Sequence, residues 1–388
     1  MHSTQSTRIH RLIDRTISFF RRIGIWHGEV TPTMGQLILK LFYSIYHMFF
    51  FTSLYVGAIT SDTTDESIFL AETAIVTTVL TIKIWMLIWK QRKIMRLFNR
   101  ICIFSIRNEE EFEFFNEKVE NFIKFVIIFA CAAVFASFGN AIFPFIGKEK
   151  TLIVDIAFPL DYKNSEIGFW MAYIFFVSEN VLTLLAMTLS IVIWYLLLHC
   201  SLRYKILGME IRNMGRVTDN SKVKISVKEQ QAIFYRDLVA SIEAHLHLRG
   251  LIDELESFLS KLFLLEFATR GLCICGSIYC LAFDISDNFV ERIVHVYTFF
   301  YNTAELFMIT YFGNEIMLSS GRLTYCLFES EWIGQPRSTT KCIIIFGEYL
   351  RQSDVMLIGK LYPLTLETFT RILKSSYSLF NILKNTKQ

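Results

Sequence analysis

The side chains best placed to do chemistry in this 388-residue chain are ionisable groups set inside apolar runs, namely Lys83, Glu179, Glu266 and Arg270. A charge at the centre of a lipid bilayer costs roughly 2.5–3.5 kcal/mol on insertion scales, so each needs a partner, water or a route to the surface. Lys83 lies near one end of its run and is expected to snorkel. Glu266 and Arg270 are four apart and can pair along one helix face. Glu179, between Ser178 and Asn180, sits deep in its run and should face protein or water, either as a structural contact or as a functional site. Covalent chemistry has no such foothold, because the chain carries no phosphate loop, zinc-ligand helix or nucleophile elbow. His245 and His247 are two apart on different helix faces and read as surface residues. Cys273 and Cys275 are spaced the same way, so neither a metal site nor a cofactor is expected there. An enzyme reading therefore has little support.

These groups must be positioned by long apolar elements. Hydrophobic residues make up 53% of the sequence and charged residues 19%, and the mean hydropathy is +0.40, too apolar for a soluble globule. Seven stretches, at about 37–59, 68–89, 122–145, 168–198, 258–283, 294–318 and 366–383, are candidates to cross a bilayer, which takes about 20 residues of helix. Backbone groups in lipid must be satisfied internally, so the stretches are expected to be helices. The expected fold is all-α: a polytopic membrane protein with seven transmembrane helices and one membrane domain over residues 1–388.

Basic residues fix an expected orientation. The N-terminal arm holds Arg8, Arg11, Arg15, Arg21 and Arg22, whereas the first connection has Asp62, Asp65 and Glu66 and no basic residue. The fourth connection holds nine, from Arg203 to Arg249, and the fifth only Arg292. Lys148, Lys150 and Lys163 are the basic residues of the third. Even-numbered connections are rich and odd ones poor, which puts the N-terminus in the cytoplasm. A rhodopsin-like receptor has the opposite orientation. Residues 1–36 carry no pattern of a cleavable signal, and the greasy patch Ile17–Phe20 ahead of Arg21 and Arg22 reads as an interfacial helix. The net charge of +3 is spread along membrane flanks, so nucleic acid is not an expected partner. None of the eight cysteines falls in an exterior connection, so no disulfide framework is implied.

Several helices should overrun the membrane. From Glu229 to Phe283 few residues, Gly250 and Gly271 among them, could interrupt a helix of ~80 Å. Its first half carries Ile233, Leu238, Ile242, Leu246, Leu255, Leu259 and Leu262 at helical spacing, an amphipathic face that must pack on something. The sixth run should continue past Leu318, and Cys342–Leu350 is too short to cross. Segments 199–257 and 319–362 are therefore expected to form a helical bundle under the membrane.

Aromatic residues are abundant, at 15%. The outer halves of the second, third, fourth and sixth runs offer Ile75, Val79, Phe135, Phe138, Trp170, Tyr173, Phe176, Tyr297, Phe300 and Tyr301, with Gly139 leaving space beside Phe138. Such walls suit a small hydrophobic ligand; helix packing and lipid contact would use the same residue types. The last run is polar, and Tyr377 and Ser378 lie four and three residues before Asn381 on one face. That face suits an aqueous pore or a buried polar seam.

The final third carries more specific motifs. Phe312-Gly313-Asn314-Glu315, Ser319, Leu323, Trp332, Pro336-Arg337, Pro363-Leu364-Thr365-Leu366, Phe369 and Lys374-Ser375-Ser376-Tyr377-Ser378-Leu379-Phe380 closely resemble the insect odorant receptors, and Glu256-Ser257-Phe258 with Leu272-Cys273 is similar to the same family's fifth span. The likeness at motif level covers residues 255–384. The sister gustatory receptors end in a Thr-Tyr pair with a later Gln-Phe, which this chain lacks. The resemblance implies a tuning subunit of a ligand-gated, non-selective cation channel, assembled as a heterotetramer with the coreceptor Orco in the plasma membrane of an olfactory neuron dendrite. It implies a volatile ligand between the second, third, fourth and sixth spans. It also implies a pore lined by the last helices and an anchor built from inner helix ends. The family's gate aligns with Tyr377 and Asn381; both carry polar atoms here, which puts a tight hydrophobic gate from this subunit alone in doubt. A gustatory-type channel, a G-protein-coupled receptor and a transporter are the competing readings.

Overall fold

The computed structural model describes residues 5–28, 32–61, 64–145, 152, 156–216, 226–283 and 289–387. Asp62, Lys148, Lys150, Lys222 and Lys224, which entered the charge count above, lie outside the described residues.

Each of the seven apolar stretches falls wholly or almost wholly within a long helix. In chain order these are α2 (Met34–Thr60), α3 (Thr64–Trp89), α5 (Glu109–Ile142), α6 (Glu166–Arg212), α7 (Val227–Ala282), α8 (Phe289–Gly321) and α11 (Leu366–Lys387). Among the described residues, four shorter helices accompany them: α1 (Arg11–Arg22), α4 (Gln91–Cys102), α9 (Leu323–Glu329) and α10 (Arg337–Leu350). Among the described residues, five helices are apolar and long enough by composition alone to cross a membrane: α2, α3, α5, α6 and α7. α11 is not one of them; it carries Glu367, Arg371, Lys374 and Lys384.

Local chemistry sets several boundaries. α2 opens with a capping box in which Thr33 accepts from Gln36 N and Gln36 accepts from Thr33 N. Ser165 and Ser226 cap α6 and α7 through the amides of Gly168 and Glu229. At its far end α5 runs into the 3-10 turn Phe143–Phe145, which contains Pro144. Two small antiparallel pairs tie loops down: Gln5–Ser6 with Ser105–Ile106, and Leu357–Ile358 with Tyr362–Pro363.

α6 is the hub. Its residues from Leu189 to Leu202 are buried almost without a break, and Trp194, Tyr195 and Tyr204 are enclosed completely. The helix α7 is 56 residues long, ~84 Å at 1.5 Å per residue, well beyond a hydrocarbon core of ~30 Å. Its first half buries Phe234, Leu238, Ser241, His245, Leu248, Leu255 and Leu259. That stripe is rotated from the expected one: Leu246 is exposed and Ile233 and Ile242 are half-buried, while Phe234, Ser241, His245 and Leu248 are buried. His245 is held there by a polar partner set. His245 Nε2 lies 3.7 Å from Asp354 Oδ2, Arg249 Nε lies 3.4 Å from Asp354 Oδ1, and the Tyr204 hydroxyl donates to the same carboxylate. Burial lowers the His245 pKa from its usual value, against the pull of Asp354.

α1 also departs from expectation. Ile13, Ile17 and Phe20 are buried in the main core, and Phe20 packs 5.1 Å from Trp26. Those three apolar residues are thus covered by protein, while Phe19 (49% exposed) and the basic residues are outward.

Glycine is required at one position of the Phe312-Gly313 motif. A Cβ on Gly313 would collide with the backbone oxygen and side chain of Leu364. This close approach seats the chain entering α11 against α8.

Candidate functional site

α3, α6, α7 and α8 converge on a buried set of charges. The side chains of Lys83, Glu266, Arg270 and Glu305 are at most 4% exposed. Lys83 Nζ lies 2.5 Å from Glu266 Oε1 and 3.5 Å from Glu305 Oε2, and donates to Ser190 Oγ on α6 at 2.5 Å. Arg270 Nη2 lies 3.2 Å from Glu305 Oε2 and 3.4 Å from Glu266 Oε1. Its Nη1 donates to Asn302 Oδ1 at 3.0 Å, and the Tyr301 hydroxyl donates to Glu305 Oε1 at 3.0 Å. Two cations face two carboxylates, so the cluster is neutral as a whole, and charges buried this way depend on one another.

Lys83 therefore does not snorkel. Two carboxylates at its own depth offer a closer partner than the membrane surface does. The expected Glu266–Arg270 pair is present, but as half of a larger network. Glu305 was missed by the sequence reading. Its signal was an acid inside an apolar run, matched by opposite charges in two other runs.

Aromatic residues cover this cluster. The rings of Tyr297 and Tyr301 stack at 6.2 Å, and Phe129 stacks on Tyr301 at 6.1 Å while meeting Trp194 edge-on at 5.1 Å. Between them and the charges is a cavity of about 10 Å³ lined by Val76, Val79, Leu80, Thr269, Arg270, Cys273, Tyr301 and Asn302. That is about the minimum for one water.

The sequence candidates fall into three groups. Val79, Tyr297 and Tyr301 gather at the covered cluster, with Ile75 half-buried one turn above Val79. Trp170, Tyr173 and Phe176 belong to a second aromatic patch: Tyr173 stacks on Phe169 at 6.2 Å and meets Trp170 edge-on at 5.8 Å, and Phe176 is buried beside Phe50. The Tyr173 hydroxyl also donates to the Ala141 carbonyl at 3.0 Å, joining α6 to α5. Phe135 (82% exposed), Phe138, Gly139 and Phe300 face outward from the chain. Phe129, Val76, Leu80, Thr269 and Asn302 line the covered region but were not among the candidates. No spacing rule marks them, because their convergence depends on how four helices cross.

A larger groove of about 710 Å³ lies between α2 and α3, lined by Leu41, Ile45, Met48, Phe49, Ile82, Trp85 and Trp89. It opens sideways along exposed apolar side chains, which suits acyl chains better than a ligand that must act on the bundle interior.

α11 contacts the charge cluster through the backbone of α7. Ser376 Oγ donates to the carbonyl of Gly271 at 2.9 Å, and a Cβ on Gly271 would sit 3.4 Å from Ile372. Gly271 directly follows Arg270. The opposite side of α11 is polar and open: Thr370, Lys374, Tyr377 and Ser378 are exposed and Asn381 is half-buried. Positions 370, 374, 377 and 381 follow helical spacing along one stripe.

Other polar clusters are buried as well. His47 Nδ1 lies 2.7 Å from Glu179 Oε2, so Glu179 faces protein, and the Tyr46 and Ser178 hydroxyls meet nearby at 2.6 Å. At the other end of α3, Glu72 meets Ser277, Cys280 and His295.

Comparison with known proteins gives a consistent picture. The family model described as 7tm Odorant receptor matches residues 63–377. Odorant receptor 23a of Drosophila melanogaster is 25% identical over 266 residues, 67% of this chain and 64% of that one. Odorant receptor 94a of the same species is 24% identical over 284 residues, 73% of this chain and 70% of that one. The structure of the insect olfactory receptor OR5 from Machilis hrabei superposes with a TM-score of 0.77 at 13% identity, covering 95% of this chain and 98% of that one. Its complex with eugenol gives a TM-score of 0.78 at 14% identity, covering 96% and 99%.

Proposed function

The chain belongs to the 7tm odorant receptor family of membrane proteins, and from that premise we propose that it is the odour-tuning subunit of a ligand-gated cation channel. Its partner is the coreceptor Orco in a heterotetramer, and its place is the dendritic plasma membrane of an olfactory neuron. The N-terminus and the segments 199–257 and 319–362 lie on the cytoplasmic side, where they form the anchor between subunits. The ligand is a small volatile molecule; the complex of the Machilis hrabei receptor with eugenol supports a ligand of that size.

One observation carries the mechanism: the aromatic cover, the buried charges and the polar-faced helix are joined by direct contacts. Tyr301 is both a wall of the small cavity and a donor to Glu305. Glu305 pairs with Arg270, and the next residue, Gly271, holds Ser376 of α11. A cavity of about 10 Å³ cannot admit an odorant. A ligand entering beside Val79, Tyr297 and Tyr301 must spread α3, α7 and α8 apart. Ion pairs in so dry a setting tolerate little displacement, so the spread is passed to α11. A ligand that fits only the spread arrangement stabilises it, and the population shifts. Tyr377, Ser378 and Asn381 on the open stripe of α11 then line a widened aqueous path. Trp170, Tyr173 and Phe176 form the outer vestibule, and the outward-facing Phe135, Phe138, Gly139 and Phe300 meet lipid or a neighbouring subunit.

The test is coexpression with the coreceptor in cells that lack other odorant receptors, with recording of current evoked by an odour panel. Robust current only when both chains are present supports the reading. Normal surface delivery with no evoked current to any odour, or full responses without the coreceptor, refutes it.

A further inference from the structure

We propose that Glu72, Cys280 and His295 form a zinc-binding site that ties α3, α7 and α8 together at the end of the bundle remote from the 199–257 segment. A carboxylate oxygen, a thiol sulfur and an imidazole nitrogen from these three residues all lie within 4.8 Å of one another, and all three residues are buried.

The surroundings hold two of the ligands in place. Glu72 Oε1 accepts from the Ser277 hydroxyl, while Oε2 pairs with the His295 imidazole, 3.3 Å from Nδ1. Phe69 meets the His295 ring edge-on, with centroids 5.4 Å apart and planes at 77°. α7 backs the carboxylate closely, since a Cβ on Gly276 would sit 3.7 Å from Glu72 Cδ. Outer contacts of this kind orient metal ligands and sustain affinity.

The donor set selects the ion. Thiolate, imidazole and carboxylate bind zinc tetrahedrally at about 2.0–2.3 Å, which leaves a fourth position open for water. Ligand atoms of such a tetrahedron are about 3.5 Å apart, so closing from 4.8 Å takes roughly one rotamer adjustment. Calcium and magnesium require six or more oxygens and are disfavoured. The charges also balance: zinc displaces the Cys280 thiol proton to the medium, and thiolate plus carboxylate neutralise the dication in a dry site. Cys280 is two residues from the end of α7 at Ala282, and His295 is six residues into α8 from Phe289. The site therefore lies within ~9 Å of the helix ends. It sits on the same three helices as the buried charges, so a bound ion would resist the spreading that gating requires.

Binding can be tested without relying on the receptor reading. The full chain, purified in lipid nanodiscs, is titrated with cadmium, whose thiolate bond gives an ultraviolet charge-transfer band, and then challenged with zinc. One saturable equivalent displaced by zinc is expected. It should be lost in Cys280→Ser, weakened about tenfold or more in Ser277→Ala, and unchanged in Cys131→Ser, which removes an exposed cysteine. No saturable band in folded wild-type protein, or the same band in Cys280→Ser, overturns the site. If Cys280→Ser fails to fold, Ser277→Ala and His295→Gln decide, and unaltered cadmium midpoints in both refute it. A gating arm follows: micromolar zinc should reduce odour-evoked current in wild type and not in His295→Gln. Failure of this arm alone refutes the restraint on gating and leaves the channel reading to its own test.

Discussion

Replacing Lys83 by Met leaves Glu266 and Glu305 sharing one guanidinium, so a neutral cluster acquires a net charge of −1 in a site with no exposure. At 2.5 Å the Lys83–Glu266 attraction is about 7 kcal/mol for an effective dielectric near 20, and the 3.5 Å contact with Glu305 adds roughly 5 kcal/mol. Much of this is offset by the cost of stripping water from the ammonium, and breaking a buried pair costs about 3–5 kcal/mol net. Lys83→Met should therefore lower the thermal midpoint and surface delivery sharply. Glu266→Gln, which leaves an excess cation, should also be harmful. The double variant Lys83→Met/Glu266→Gln restores neutrality and should be more stable than the sum of the single losses by about 2–3 kcal/mol. The assay is fluorescence-detected thermal unfolding of detergent-solubilised protein, read as the order of midpoints because many large proteins unfold irreversibly. Midpoint losses that add, with the double variant worst of all, would refute the claim that these residues form one neutral network.

Other consequences follow from the same geometry. Tyr297→Ala and Trp170→Ala should each shift the odour concentration for half-maximal response about tenfold, the equivalent of one lost aromatic contact; unchanged curves at normal surface expression would remove that residue from the ligand path. Asn381→Leu puts an apolar side chain on the open stripe of α11 and should change unitary conductance or resting current roughly twofold or more; identical single-channel currents would take Asn381 out of the pore. Gly313→Ala forces a methyl group into the Leu364 backbone, which cannot yield as a side chain could, and should cost about 3 kcal/mol and most of the cell-surface protein; wild-type expression would contradict the close approach of α8 to the start of α11.

Much of the fold can be read in one dimension because helices are local. The apolar runs, the capping serines at 165 and 226 and the overrun of α7 all depend on residues near in sequence. The motif around Gly313 could be recognised, but its physical reason, contact with Leu364, required the structure. What stayed hidden was set by helix crossings. Lys83 looked free to reach the surface until Glu266 and Glu305 were found at its own depth. His245 looked like a surface residue because its partner Asp354 is more than a hundred positions away. Glu72, Cys280 and His295 share no spacing at all and meet only through the packing of α3, α7 and α8. For the charge network the readable hint was polar residues within apolar runs, and asking which opposite charges shared their depth would have found it.

The central claim is that odour opens an ion path through the protein itself, with no soluble messenger in between. The most direct measurement is an excised patch carrying this chain and the coreceptor, perfused without nucleotides. Cation current that rises within milliseconds of odour and persists in repeated applications is the predicted result. Responses that vanish on excision and return only with guanine nucleotide and a G protein would contradict it.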